Sequence, residues 1–135
     1  MFKFQSEKCD KIMLKEELTH TSHLVVSQKV TAASLGAGDM AVLGTPALLA
    51  LMENAAMLAV AEHLPEGATT VGGHIDASHL KPSAVGAEVS ATATLTKVDG
   101  RRLHFKVEAH EGDALIGEGA HVRFIVDRER FMSKL

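Results

Sequence analysis

Two hydrophobic patterns divide this chain. From Gly44 to Gly67, in GTPALLALMENAAMLAVAEHLPEG, Ala, Leu, Met and Val fall on nearly every helical face. That predicts a buried helix of about five turns. Thr45-Pro46 opens it: Thr45 reads as the cap, and proline suits a first turn whose N–H groups lack helical partners. Pro65 and Gly67 close it. Beyond, apolar and polar residues alternate with period two, the mark of strands with one buried face. Val71, Gly73, Ile75, Ala77 and His79 share one face; Gly72, His74, Asp76, Ser78 and Leu80 share the other. After Pro82 and Gly86, Val89, Ala91, Ala93 and Leu95 alternate with Ser90, Thr92, Thr94 and Thr96. Asp99-Gly100 marks a tight hairpin, and the strand after it buries Leu103, Phe105, Val107 and Ala109. Glu111-Gly112-Asp113 turns the chain again, and a last strand is expected to carry Ala120, Val122 and Phe124 inward.

Upstream, ELTHTSHLVVSQKV from Glu17 to Val30 has strand composition, TAASLGAGDMAVLG reads as a loop feeding the helix, and residues 1–14 read as an arm. Strand, long helix, then hairpin-linked strands define an α+β class: a mostly antiparallel five-stranded sheet wrapped around one central helix. Without repeat or linker, residues 1–135 form one domain. The helix has more apolar surface than one such sheet covers, and the sheet has open edges. A homodimer is the expected remedy, with a tetramer left open.

Composition narrows the function classes. A net charge of -3 offers no basic surface to nucleic acid or anionic lipid. Cys9 is the only cysteine, which excludes an intrachain disulfide and a Cys-based zinc site. The segment MFKFQSEKCDKIML has charges where a secretion signal needs an apolar run, so a cytoplasmic location is expected. Met40 to Ala61 is long enough to span a bilayer, but Pro46 and the central Glu53-Asn54 make that costly.

Candidate chemistry sits where polar residues interrupt apolar faces. Glu53 lies mid-helix, where a carboxylate must be paired, protonated or working. His79 lies on the strand face carrying Ile75 and Ala77, against which the helix packs, so a Glu53–His79 acid/base pair is expected. A structural hydrogen bond between them is the competing reading. Gly72 and Gly73 interrupt a strand, as a bulge or as a backbone N–H aimed at an oxyanion. His74 and His79 face opposite ways, as do His20 and His23, so no metal site is expected. His121 and Arg123 share a face of the last strand, with a contribution to the site left open.

GTPALLALMENAA, the Gly72 to His79 strand, KPSAVG, VDGRRLHFKVEAHEG and IGEGAHVRF, in this order and spacing, resemble the hot-dog acyl-CoA thioesterases. The similarity is greatest to the fluoroacetyl-CoA thioesterase branch, over about residues 17 to 134. The resemblance implies hydrolysis of a small acyl-CoA, with no cofactor beyond coenzyme A in the substrate. It implies a catalytic Thr45, Glu53 and His79, with Gly72 holding the thioester carbonyl beside Gly73 and Asn54. Arg101, Arg102 and Arg123 would then be candidates for the coenzyme A phosphates, Arg101-Arg102 having a solvated hairpin turn as the equal alternative. Where that branch has phenylalanines before the threonine, this chain has Leu35, Gly36, Ala37, Gly38 and Asp39, and Asn54 replaces a tryptophan. A hot-dog dehydratase or hydratase and a non-catalytic acyl-CoA-binding protein are the alternatives.

Overall fold

The computed structural model describes residues 14–135; the expected arm and Cys9 lie outside the described residues, apart from Leu14, which joins the core. The elements are β1 (Thr19–Val25), a 3-10 turn (Gln28–Val30), α1 (Ala32–Leu35), α2 (Thr45–Ala61), β2 (Ala68–His79), β3 (Glu88–Asp99), β4 (Arg102–Glu111), β5 (Ala114–Asp127) and α3 (Arg128–Ser133). The sheet runs β1-β3-β4-β5-β2, every neighbouring pair antiparallel, with α2 packed on its inner face. Strand β1 is shorter than expected, and the loop after it contains the turn and α1. The Thr31 hydroxyl accepts from the Ser34 N–H and so caps α1, while Gly36 ends it at φ 73°.

The 17-residue α2 buries Leu48, Leu51, Met52, Ala55, Ala56, Ala59 and Val60. It is not covered all round. Pro46, Ala50, Asn54 and Leu58 recur at four-residue spacing along an exposed stripe, three of the four apolar. Opposite the buried stripe stand Val89, Ala91, Ala93 and Leu95 of β3 and Leu103, Phe105, Val107 and Ala109 of β4, all buried as their alternation predicts.

Strand β5 departs from its alternation. Ile116, Gly117, His121, Arg123 and Ile125 are the buried residues, not Ala120, Val122 and Phe124. A regular hairpin from the Glu111↔Ala114 pair would have put the even-numbered set inside. A register shift between Ala109↔Gly117 and His110↔Leu115 leaves Ile116 as an extra residue, and every later side chain changes face. Phe124, turned outward, lies under Arg102, whose guanidinium carbon is 5.4 Å from the ring centroid. A second bulge, at Gly73 in β2, corrects the other alternation. Before it Ala68 and Thr70 are buried in place of Val71; after it the inward set is Ile75, Ala77 and His79, as expected.

Candidate functional site

The first helical turn of α2 is held from two sides. The Gly44 N–H donates to Val30 O at 2.8 Å, and the Leu43 N–H donates to Ser83 O at 2.9 Å. Gly44, not Thr45, is therefore the N-cap, with φ -76° and ψ 142°, and no side chain caps this end. Thr45 is one residue inside the helix. Its hydroxyl lies 2.8 Å from His79 Nδ1 at the end of β2. The other ring nitrogen, Nε2, is buried and has no hydrogen-bond partner among the described residues. A threonine O–H donated to Nδ1 puts the ring proton on Nε2, leaving a donor with nothing to receive it. Because Thr45 is no cap, Thr45→Ala is expected to lower activity at least tenfold while Tm moves by less than about 2 °C. Loss of a true cap costs about 1 kcal/mol, roughly 4 °C in a domain this size.

Glu53 does not meet His79. Among the described residues, its ionisable neighbours within 4 Å are His121, with Nε2 3.9 Å from Glu53 Oε2, and Arg123, with Nη1 3.5 Å from the same oxygen. The expected acid/base pair is thus split in two. His79 pairs with Thr45, and Glu53 faces a basic pair on β5 that reaches the inner face only because of the Ile116 bulge. The Glu53 side chain is 42% exposed, so one side of the carboxylate is open.

Arg123 is buried and bound from several directions. Its Nε donates to Thr70 Oγ1 at 2.8 Å, and Nη2 donates to Thr70 O at 2.9 Å. Nη1 lies 3.3 Å from His121 Nε2. Burial lowers the Arg123 guanidinium from its usual range, and Glu53 pulls it back. A guanidinium held inside the sheet by these partners is not presented to solvent phosphates, unlike Arg102, which is exposed over Phe124. Arg101 occupies the β3–β4 turn beside Gly100.

Gly72 lies against the carboxylate. A Cβ there would stand 2.5 Å from Glu53 Oε2 and 3.4 Å from Arg123 Nη1. Gly73 is the bulge residue, and a Cβ on it would run into the Phe124 ring. Asn54 belongs to the other flank of α2, its Oδ1 accepting from the Ser22 hydroxyl at 2.6 Å. The structure therefore brings Thr45 to His79, and Glu53 to Gly72, but sets Asn54 apart from both. Thr70 was not legible as a site residue in the sequence. Its signal lay in the Gly-Gly bulge, which puts it on the inner face, opposite Ile125 and within reach of the Arg123 guanidinium.

A cavity of about 290 Å³ opens beside Thr45 and His79, walled by Ala32, Ala37, Val42, Leu80, Lys81 and Pro82. A second, of about 430 Å³, lies on the Asn54 flank among Leu24, Val30, Leu35, Pro46, Ala47, Ala50 and Leu51. Neither wall contains a phenylalanine, tyrosine or tryptophan. Among the described residues no group of three or more His, Cys, Asp or Glu could hold a metal ion. No helix among them is long and apolar enough to cross a membrane.

A curled antiparallel sheet holding one long helix, with a polar site where helix and edge strand meet, defines the hot-dog class. A hot-dog-like protein from Thermanaerovibrio acidaminovorans superposes with TM-score 0.82 at 22% identity, over 93% of this chain and 92% of its own. The chain belongs to the fluoroacetyl-CoA-specific thioesterase family, whose model matches residues 26–129. It is 37% identical over 94 residues to the fluoroacetyl-CoA thioesterase of Streptantibioticus cattleyicolor, covering 70% of this chain and 68% of that one. A crystal structure of the fluoroacetyl-CoA thioesterase gives TM-score 0.84 at 32% identity, over 90% of this chain and 94% of the other. A thioesterase superfamily member from Thermus thermophilus gives 0.81 at 27%, over 90% of each chain.

Proposed function

We propose that this protein hydrolyses a small acyl-CoA to the free acid and coenzyme A, using no cofactor beyond the coenzyme A of the substrate. The observation that carries the reading is the pair of polar contacts along one side of the helix. Glu53 and Arg123 stand against Gly72, whose missing side chain leaves the carboxylate accessible, while Thr45–His79 lies about two helical turns away, at the start of the helix and the far end of β2. Thioester hydrolysis needs an oxygen nucleophile, a place for the carbonyl oxyanion and a proton for the leaving thiolate. Glu53 supplies the first, by attacking the carbonyl carbon to form an anhydride or by taking a proton from the attacking water. The backbone at Gly72 receives the oxyanion. His79, oriented by Thr45, passes the proton to the sulfur as the C–S bond breaks; it stands roughly 20 Å along β2 from Gly72, so the donor to a thioester held there is the Thr45–His79 pair of a second copy brought in at the open β2 edge. Water ends divided between the acid and the thiol.

The cavity walls, largely aliphatic and without phenylalanine, tyrosine or tryptophan, suit a short aliphatic acyl group. The exposed Pro46, Ala50 and Leu58 stripe supports a homodimer in which a second copy covers the helix. A cytoplasmic enzyme is the corresponding setting, since acyl-CoA is made and used there. The test is a panel of short, branched and aromatic acyl-CoAs with free-thiol detection, run beside an enoyl-CoA hydration assay. Thiol release with short acyl groups supports the reading. Hydration without thiol release assigns a hydratase, and tight binding without turnover assigns a binding protein.

A further inference from the structure

We propose that His121 is a positioning residue for this reaction, tying the β2 bulge to the Glu53–Arg123 pair; the proposal rests on the thioesterase reading of the site. His121 is only 1% exposed and lies at the centre of the inner face, its ring centroid 6.3 Å from that of Phe105 on β4. Its Nδ1 is 2.7 Å from His74 O, the carbonyl just beyond the bulge residue Gly73. A carbonyl only accepts, so Nδ1 carries the proton and the neutral ring has its lone pair on Nε2. That lone pair faces Arg123 Nη1 at 3.3 Å, which only donates. One imidazole thus holds the bulge with one nitrogen and the guanidinium behind Glu53 with the other.

The arrangement needs a neutral ring. A second proton on Nε2 would set donor against donor and cation against cation at Arg123. Burial, then Arg123 and His74, lower the His121 pKa, while the His74 carbonyl and Glu53 act the other way. The charged groups facing the ring are therefore Arg123 on its own strand, Glu53 on α2 and His74 on β2; β4 contributes Phe105. The sign follows: a ring whose folded pKa is lowered costs stability as pH falls below the ordinary value near 6.5, and the loss is complete below the folded value. At neutral pH the tie is intact.

Two substitutions separate the two bonds. In His121→Asn the side-chain amide N–H takes the place of Nδ1–H but nothing accepts from Arg123. In His121→Gln the amide oxygen takes the place of Nε2 but the His74 carbonyl loses its donor. Each is expected to lower kcat at least tenfold with KM within threefold. Independently of activity, nitrogen-15 NMR of the histidine rings is expected to find the His121 proton on Nδ1 at pH 7. The Gly72 and Gly73 amide signals are expected to shift with the His121 titration in a His74→Gln background, where the neighbouring exposed ring no longer titrates. A proton on Nε2, Gly72 and Gly73 amides indifferent to His121, or wild-type kcat in both variants would each overturn the proposal. If the unaltered protein releases no thiol from any acyl-CoA, the thioesterase reading fails. The NMR results still decide whether His121 makes the tie.

Discussion

Glu53→Gln is expected to reduce thioester turnover by about three orders of magnitude and leave the protein folded, measured as thiol release beside circular dichroism and Tm. Glutamine keeps the shape of the side chain but can neither attack a carbonyl nor take a proton from water. Losing a positioned base or nucleophile costs about 10²–10⁴ in rate. The fold tolerates the change because Glu53 is 42% exposed and makes no bond on which the helix depends. Arg123 loses a neighbour at 3.5 Å but keeps Thr70 and His121. A shift in Tm of a few degrees is therefore expected, against a near-complete loss of rate. The opposite pattern, unfolding with activity per folded molecule unchanged, would make Glu53 a structural ion-pair partner.

Gly72→Ala should have the second-largest effect, and comparison with Gly73→Ala gives it meaning. The alanine methyl at 72 would meet Glu53 Oε2 at 2.5 Å, the far end of a flexible side chain that can turn aside. The chain should fold, with the carboxylate displaced by an ångström or more, and misplacement on that scale costs on the order of 10²-fold in rate. At Gly73 the obstacle is the Phe124 ring, already under Arg102. That substitution should appear first in stability, as a fall in Tm of several degrees from strain at the bulge. Equal losses of rate and equal losses of Tm in the two variants would mean that Gly72 only serves the strand.

Much of the fold was legible because β3 up to Leu95, ahead of a register shift at Thr96, and β4 from Leu103 to Ala109 alternate without interruption. Val89 to Leu95 and Leu103 to Ala109 name the inner face by themselves. The helix was equally clear, since Pro46 and Pro65 bracket a run that nothing else breaks. The site was harder to read for one physical cause. Its two β-strands each carry an extra residue, and a one-residue insertion reverses every side chain beyond it. In β2 the Gly72-Gly73 pair announces the bulge. In β5 nothing does: Leu115-Ile116-Gly117 reads as ordinary strand, and the apolar Ala120, Val122 and Phe124 are plausible core residues. Polar His121 and charged Arg123 on the inner face run against hydrophobic pattern, and only the register across β4 reveals them. Thr45 misled for a related reason. Threonine before proline looks like a cap, but the Gly44 backbone takes that position and frees the hydroxyl for His79.

In the proposed mechanism the Thr45–His79 and Glu53–Arg123 contacts serve one reaction, although they share no bond. A double-mutant cycle tests it most directly: thiol release from a short acyl-CoA by the wild type, Glu53→Gln, His79→Ala and the combination, each checked for folding. Either single change is expected to remove orders of magnitude, and the double variant to be little slower than the slower single one. Full activity in Glu53→Gln, or losses that simply multiply, would contradict the mechanism.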